Sequence, residues 1–413
     1  MSRKLHRGRT RVFHKRNTAP FKILGWILAA VLIVTGGYFG AKFILEEKPG
    51  NEAASSLPVQ SDTSAPAQSQ PPVSAPPESP TAAENLRAFY LPLSALRNAQ
   101  TLEPMLDEAA GAGFNAVLFD LKDSEGRLYY QSGTALALQA DSAAEDALTL
   151  DELKTLFQTL KSHGLTPLPR LYAFLDPLAP RKLSSAKITT ADHPTWTWYD
   201  DDPQNGGKPW LNPYSPVAHQ YLIELMTELK GAGADAILLD GVQFPKQTKD
   251  AGFGNGEYAS LSKAEVLATF VSKAVEAMDG SRVLLSMPGA AALGTDTTLF
   301  GGNPVTFGAS VAAPDLMLSA FGNRLTAGTA TVENPALHPY DAIKAALSQI
   351  QLRLQVIDEE QRPALTPWLQ GYDCTVPQIA EQIRAVRDTL GGEASYILYN
   401  PEGAYDFAAL KEE

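Results

Sequence analysis

The sequence predicts an α/β protein whose main domain is a (β/α)8 TIM barrel, and three observations support this fold class. Eight short apolar runs alternate with amphipathic helical patterns over residues 85–413. The runs are apolar throughout, which is typical of parallel strands covered on both faces. The first run also lacks the glycine-rich phosphate turn that usually marks a doubly wound open sheet, the alternative fold.

The predicted barrel strands are these eight runs, whose lengths suit strands better than buried helices. They occupy residues 86–92, 115–122, 165–172, 235–242, 282–288, 315–321, 364–370 and 395–400. In such a barrel the functional residues lie at the carboxyl ends of the strands, so those ends are where candidate site residues are sought.

Four intervening helices carry clear start signals. Ser215 followed by Pro216 is typical of an N-cap and a first helical position. The other three begin with capping-box pairs, in which an N-cap hydroxyl and the side chain three residues later satisfy each other's backbone N–H groups. These pairs are Thr149 with Glu152, Ser262 with Glu265 and Thr375 with Gln378.

The first 84 residues differ in composition from the rest. Residues 1–22 hold eight Lys and Arg and no acid, and we expect them to form a cytoplasmic tail by the positive-inside rule. Residues 23–41 carry no charge and are long enough for a transmembrane helix. Residues 42–84 are rich in Pro, Ser and Ala, which predicts a disordered linker. We therefore expect a single-pass, uncleaved signal-anchor at the cell membrane and an extracytoplasmic domain over 85–413.

Composition also argues against several partners and cofactors. Beyond the basic tail the chain has 26 basic and 46 acidic residues, a balance of −20 that disfavours nucleic-acid binding. A single cysteine, Cys374, permits no intrachain disulfide and no zinc–thiolate site. No His-rich spacing indicates a metal, and we predict no cofactor.

Two carboxylates are expected to point into the barrel mouth. Asp240 shares side-chain parity with the small and medium residues of its strand, and so does Asp120. Arg170 ends the strand between them, where it can pair with both carboxylates and keep them ionised. An arginine–aspartate network of this kind can also be purely structural.

Paired carboxylates and aromatic rings suit glycoside hydrolysis. One carboxylic acid protonates the leaving oxygen, and the other carboxylate attacks the sugar or activates water. We expect Asp240 to be the nucleophile or base and Asp123 or Asp120 the acid. The aromatic side chains either stack on sugar rings or pack in the core and loops. They are Trp196, Trp198, Trp210, Trp368 and Tyr399. Residues 193–215, rich in Trp, Asp and Pro, are interpreted as a lid on the substrate side.

The strand ends resemble those of the putative glycoside hydrolase domain family of bacterial membrane-anchored TIM-barrel proteins. The similar stretches are 115–132, 160–180, 210–245, 362–373 and 396–403, in the family's order. The resemblance implies a (β/α)8 fold and a polysaccharide substrate. It also implies site roles for Asp120, Lys122, Asp123, Arg170, Asp240, Trp368, Gln370 and Asn400.

Together, motif and position define the candidate site. Catalytic candidates are Asp240, Asp123 and Asp120, and substrate-binding candidates are Arg170, Lys122, Tyr172, Gln243, Trp368, Gln370, Tyr399, Asn400 and Trp210. The chain departs from the family pattern at Gly241 and Gln243, and at Pro288 and Gly371, where acids are usual. The hypothesis is an envelope glycosidase that acts on a cell-envelope or exported polysaccharide. The alternatives are a degenerate barrel that binds glycan without cleaving it, and an envelope scaffold.

Overall fold

Eight parallel strands close into a barrel in the computed structural model, which describes residues 85–254 and 256–410. The first strand pairs with both the second and the last, and this pairing closes the sheet. The predicted (β/α)8 barrel is thereby confirmed. The strands, β1 to β8 in chain order, are Arg87–Tyr90, Ala116–Lys122, Thr166–Tyr172, Ala236–Asp240, Arg282–Pro288, Val311–Asp315, Trp368–Gln370 and Tyr396–Tyr399.

Helices surround the barrel. The longer ones, α1 to α6, are Ala99–Gly111, Leu150–Ser162, Pro216–Ala232, Lys263–Ala277, Pro339–Leu354 and Val376–Leu390. Short helices are Leu93–Leu96, Ala135–Ala140, Ala179–Lys182, Gly289–Leu293 and Phe407–Leu410. The predicted helix starts are confirmed: capping boxes open α2, α4 and α6, and the Ser215 hydroxyl accepts the Ala218 N–H at the start of α3.

The sixth strand is displaced from its predicted place. We expected it at 315–321, but β6 is Val311–Asp315, and Leu318–Phe321 forms a 3₁₀ turn. Two of the five residues of β6 are alanines and Pro314 lies inside it, so the segment has few of the bulky residues and lacks the unbroken backbone donors that mark a strand. The displacement matters because it makes Asp315 a strand-tip residue.

Side chains of each barrel strand alternate between two cores. One set packs between the strands and the helices. The other fills the barrel interior, and it consists of Leu86, Ala88, Tyr90, Ala116, Leu118, Leu168, Ala236, Leu238, Leu284, Val311, Ala313, Trp368 and Ile397. These interior residues plug the barrel, so open space is left only at its ends.

The loops after β3 and β4 join into a small lobe at the carboxyl end of the barrel. Thr189–Thr190 pairs antiparallel with Ala251–Gly252, and the Lys208 ammonium contacts the Glu125 carboxylate of the β2 loop at 2.5 Å. Further short strands outside the barrel sheet or at its margin are Leu128–Tyr130, Ala143–Leu148, Arg324–Ala327, Ala330–Glu333 and Ala364–Leu365.

The predicted basic tail, transmembrane helix and linker, residues 1–84, lie outside the described residues. Of the helices within residues 85–254 and 256–410, none has the length and apolar character required to cross a bilayer. Anchoring by residues 23–41 therefore stays a prediction.

Candidate functional site

One side chain of each strand faces the barrel mouth near the carboxyl end of the sheet, because strand alternation continues the interior pattern to that end. The ring consists of Tyr90, Asp120, Arg170, Asp240, Ser286, Asp315, Trp368 and Tyr399. It contains three carboxyl groups, one guanidinium and three aromatic rings. This is a polar, ionisable set of side chains at the end of an otherwise apolar barrel.

Arg170 lies between two of the carboxylates. Its Nε and Nη2 atoms both donate to Asp120, with the Nη2–Oδ2 bond at 2.9 Å. Its Nη1 lies 3.8 Å from Asp240 Oδ2. The Tyr90 hydroxyl also donates to Asp120 Oδ2, at 3.0 Å. Asp120 and Arg170 thus form a bidentate ion pair, a geometry that fixes the orientation of both side chains.

Four aromatic rings surround the Arg170 guanidinium. Its Cζ atom lies 5.1 Å from the ring centre of Tyr172, 5.3 Å from Trp368, 5.7 Å from Tyr90 and 5.9 Å from Tyr399. Cation–π attraction at these distances adds to the ion pairs in fixing the guanidinium. The mouth therefore presents its positive charge in one defined orientation.

Asp240 ends β4, where the chain turns sharply. The N–H of Gly241 donates to Asp240 Oδ1 at 2.7 Å, and φ at Gly241 is +60°. A Cβ there would lie 3.1 Å from that of Leu175, so this turn favours glycine over the aromatic residue of the family pattern. Burial raises the pKa of the Asp240 carboxyl, while Arg170, the Gly241 N–H and the Ser286 hydroxyl oppose that rise.

Asp315 is the site residue that the sequence reasoning missed. Burial raises the pKa of its carboxyl to about 6, and the charge of Asp240 acts in the same direction. The Met317 N–H donates to its Oδ1 at 3.0 Å and partly opposes this. The available signal was an acid directly after the short apolar segment at 311–314.

Lys122 does not reach the mouth in this structure. A β-bulge after Asp120 places Lys122 opposite Leu171, so its side chain points toward the helices. Its ammonium is fully buried, lies 2.9 Å from the Asp176 carboxylate and donates to the Tyr172 carbonyl at 2.7 Å. The residue therefore anchors the loop after β3.

Asp123 shapes the turn that follows β2. Its Oδ1 accepts the N–H groups of Glu125 and Arg127, both at 2.9 Å, and its Oδ2 accepts the Tyr129 hydroxyl at 2.8 Å. Such side-chain bonds to nearby backbone donors stabilise turns. Both carboxylate oxygens of Asp123 are engaged within its own loop.

Two further candidates, Gln370 and Asn400, form hydrogen bonds with other groups of the protein. Gln370 accepts the Ser319 N–H at 2.8 Å and donates to the Tyr372 carbonyl at 3.0 Å. Asn400 donates to the carbonyls of Gly371 and Ala404, at 3.1 and 2.8 Å.

Trp210 is buried and donates to Asp200 Oδ2 at 2.8 Å. Gln243 lies half-buried just beyond β4. Of the substrate-binding candidates, Arg170, Tyr172, Trp368 and Tyr399 gather at the mouth.

The mouth combines carboxyl groups in different electrostatic environments, because Asp240 lies near a cation and Asp315 does not. Within residues 85–254 and 256–410, no three His, Cys, Asp or Glu side chains form a group suited to a metal ion. A carboxylate stabilised by a cation and a carboxyl group whose pKa is raised by burial can together transfer a proton and attack a carbon centre.

Solved structures similar to this chain include three of bacterial origin. A hypothetical protein from Ruminiclostridium thermocellum is 23% identical, with 48% of this chain and 96% of that one covered and a TM-score of 0.41. α-L-Fucosidase isoenzyme 2 from Paenibacillus thiaminolyticus is 13% identical, with 79% and 48% covered and a TM-score of 0.45. The glycoside hydrolase domain of PelA from Pseudomonas aeruginosa is 15% identical, with 78% and 97% covered and a TM-score of 0.38.

The chain spans about half the length of the fucosidase. No curated protein matches it. A family model described as "Putative glycosyl hydrolase domain" matches residues 88–405, which is most of the chain and the whole barrel from β1 to β8. The chain therefore belongs to the putative glycosyl hydrolase domain family.

Proposed function

We propose that the barrel hydrolyses a glycan, with Asp240 as the nucleophile or base and Asp315 as the general acid. The observation that carries the proposal is the contrast between their surroundings. Burial raises the pKa of both carboxyl groups, but the Arg170 guanidinium, 3.8 Å from Asp240, opposes the rise at Asp240, whereas the charge of Asp240 adds to the rise at Asp315, whose pKa is about 6. Two carboxyl groups with environments this different are suited to separate acid and base roles.

In the proposed reaction Asp315 gives its proton to the glycosidic oxygen as the bond to the anomeric carbon breaks. Asp240 either attacks that carbon or removes a proton from the attacking water. Asp315 suits the acid role better than Asp120 or Asp123 does. Asp120 is committed to Arg170 and Tyr90, and Asp123 to its own turn.

Arg170 and the aromatic rings prepare the mouth for this chemistry. The guanidinium stabilises the charged form of Asp240, and Asp120 holds the guanidinium in place. Tyr399 is partly exposed and packs edge-to-face on the buried Trp368 ring, with ring centres 5.7 Å apart, so the mouth also has an apolar surface. A sugar ring carries both apolar C–H faces and polar edges, and a mouth with both kinds of surface matches it.

The N-terminal sequence supports a location for this activity. A basic segment followed by 19 uncharged residues is typical of a membrane anchor with a cytoplasmic N-terminus, residues 1–22. We propose that residues 23–41 span the membrane and that residues 42–84 hold the barrel outside it. The substrate would then be an envelope or exported polysaccharide.

The first prediction concerns the two carboxylates. Asp240→Asn and Asp315→Asn should each lower kcat by about 10²-fold or more, since each variant removes a proton-transfer or nucleophilic group. The measurement is release of reducing ends from cell-wall and capsular polysaccharides. Asp151→Asn is the matched control, because that side chain is 94% exposed on α2. Full activity in either mouth variant would remove that residue from the mechanism.

A second candidate function is glycan binding without cleavage. The observation that favours it is Pro288, at the tip of β5, where the family usually carries an acid. A wild-type protein that binds polysaccharide but releases no reducing ends, with binding retained in Asp240→Asn, would support this alternative over hydrolysis.

A further inference from the structure

Trp196 is much more exposed than the other tryptophans of the described residues. Trp198, Trp210 and Trp368 are 5%, 6% and 3% exposed, whereas Trp196 is 61% exposed. Contact of an indole ring with water is unfavourable, so a partner that covered the Trp196 ring would gain binding free energy. The contacts around Trp196 show how its indole is held in this exposed position.

The Trp196 indole is supported from one side. The His193 ring stacks against it with centres 4.2 Å apart and planes inclined by 27°. The backbone of Trp196 is also held, since its backbone N–H donates to the His193 carbonyl at 2.9 Å and the Thr190 backbone N–H donates to the Trp196 carbonyl at 3.2 Å. The Lys187 ammonium donates to the Thr195 carbonyl, also at 2.9 Å. The indole is therefore pre-positioned, and ordering it on binding costs little conformational entropy.

Trp196 belongs to the same end of the molecule as the mouth. It lies in the loop that leaves the barrel after β3, whose tip strand Thr189–Thr190 pairs with Ala251–Gly252 from the loop after β4. Thr189 also forms a bridge with Thr197, next to the indole. Both loops start at carboxyl ends of barrel strands, so the indole extends the face that carries the mouth.

The apolar surface at this position is one ring wide. The flanking residues Ala191, Asp192, Pro194 and Thr195 are exposed and mostly small or polar. Protein and membrane partners are usually bound by wider apolar patches. A single rigid ring with one face covered and the other open matches the flat C–H face of one pyranose unit.

We propose that Trp196 is an outlying sugar-binding subsite, which stacks on one ring of a polysaccharide chain whose reacting unit lies in the mouth. This inference rests on the proposed glycan function and extends it. It states that the preferred substrate is a chain long enough to reach both positions, and that Trp196 improves binding of long chains without taking part in bond cleavage.

The second prediction separates long substrates from short ones, assayed with the full chain. In Trp196→Ala the KM for a cleaved polysaccharide should rise about ten-fold, equivalent to about 1.4 kcal/mol, while kcat/KM for a short aryl glycoside stays unchanged. Trp196→Phe, which keeps a smaller ring, should give an intermediate KM. Leu352→Ala is the matched control, because Leu352 is also exposed, at 57%, but lies on helix α5.

An unchanged polysaccharide KM in Trp196→Ala, with activity intact, overturns the subsite while leaving the proposed hydrolysis standing. If the wild type cleaves nothing, native gels containing hydroxyethylcellulose, alginate or chitosan replace the kinetic assay. Retardation of the wild type that is lost in Trp196→Ala and kept in Leu352→Ala then supports the subsite. Equal retardation of all three proteins, or none, overturns it.

Discussion

Asp120, Asp240 and Asp315 are the same residue type at three strand tips, yet each contacts different groups. Asp120 is bound by a guanidinium and a phenol, Asp240 has one cation and a backbone N–H, and Asp315 has a backbone N–H and an acidic neighbour. Ionisation follows from these contacts and from burial. The proposed division into base and acid therefore rests on the surroundings that strand topology supplies to each residue.

The third prediction is a loss of activity at alkaline pH. The proposed acid Asp315 must carry its proton, and burial raises the pKa of its carboxyl to about 6. The protonated fraction, and with it kcat/KM, should fall about ten-fold for each pH unit well above that value. Rates measured from pH 4 to 9 check this, with circular dichroism as a control for folding. A rate that stays constant up to pH 8 would exclude Asp315 as the acid.

Part of this site could be predicted from the sequence, because side-chain parity and the ends of apolar strands can be read directly from it. Asp120, Arg170 and Asp240 follow from alternation along three strongly apolar strands. The orientation of Lys122 did not follow, because a one-residue bulge reverses the side-chain direction and leaves no clear mark in the sequence. Its burial with Asp176 is a consequence of that bulge.

Closure of the barrel depends on two four-residue strands, β1 and β8, and on a residue beyond them. The Tyr405 hydroxyl accepts the N–H groups of Tyr90 and Asn400, at 3.2 and 3.0 Å. It also lies 3.0 and 3.1 Å from the carbonyls of Tyr90 and Leu398. One phenol thus satisfies backbone groups of both closing strands and of the turn that follows them.

The fourth prediction tests this contact. Tyr405→Phe should lower the free energy of unfolding by about 1–3 kcal/mol, because buried backbone N–H groups lose their acceptor while the ring still packs. Chemical denaturation provides the measurement. Tyr340→Phe is the control, since its hydroxyl donates to Asp388 at the surface. Equal effects of the two substitutions would show that Tyr405 does not stabilise the closure.

Elements were predictable where local signals agree with the fold. The capping residues placed the starts of α2, α3, α4 and α6, and bulky apolar residues marked most strands. The sixth strand was not predicted at its correct position, because β6 is stabilised by pairing with β5 and β7 and not by local propensity. A short strand with two alanines and a proline carries little local sequence signal, so it is recognised only from its pairing with neighbouring strands.

Two groups, the buried His219 and the partly buried Asp315, respond to acid in opposite ways. His219 is 2% exposed, and its Nε2 lies 2.7 Å from the Pro213 carbonyl oxygen. Burial lowers its pKa from 6.5 to about 4. Between those values the unfolded chain binds the extra proton, so stability falls as pH falls. For Asp315 the folded state binds the extra proton between pH 6 and 3.8, so stability rises as pH falls.

The fifth prediction follows from this opposition, because each shift changes the free energy of unfolding by about 2–3 kcal/mol between pH 6.5 and pH 4. Removing Asp315 as Asp315→Asn should leave the loss due to His219 uncompensated. The free energy of unfolding should then fall more steeply toward pH 4 than in the wild type, by about 2 kcal/mol. His219→Gln should change the slope by a similar amount in the opposite sense. Chemical denaturation at both pH values measures the slopes, and parallel slopes in all three proteins would contradict the assignment.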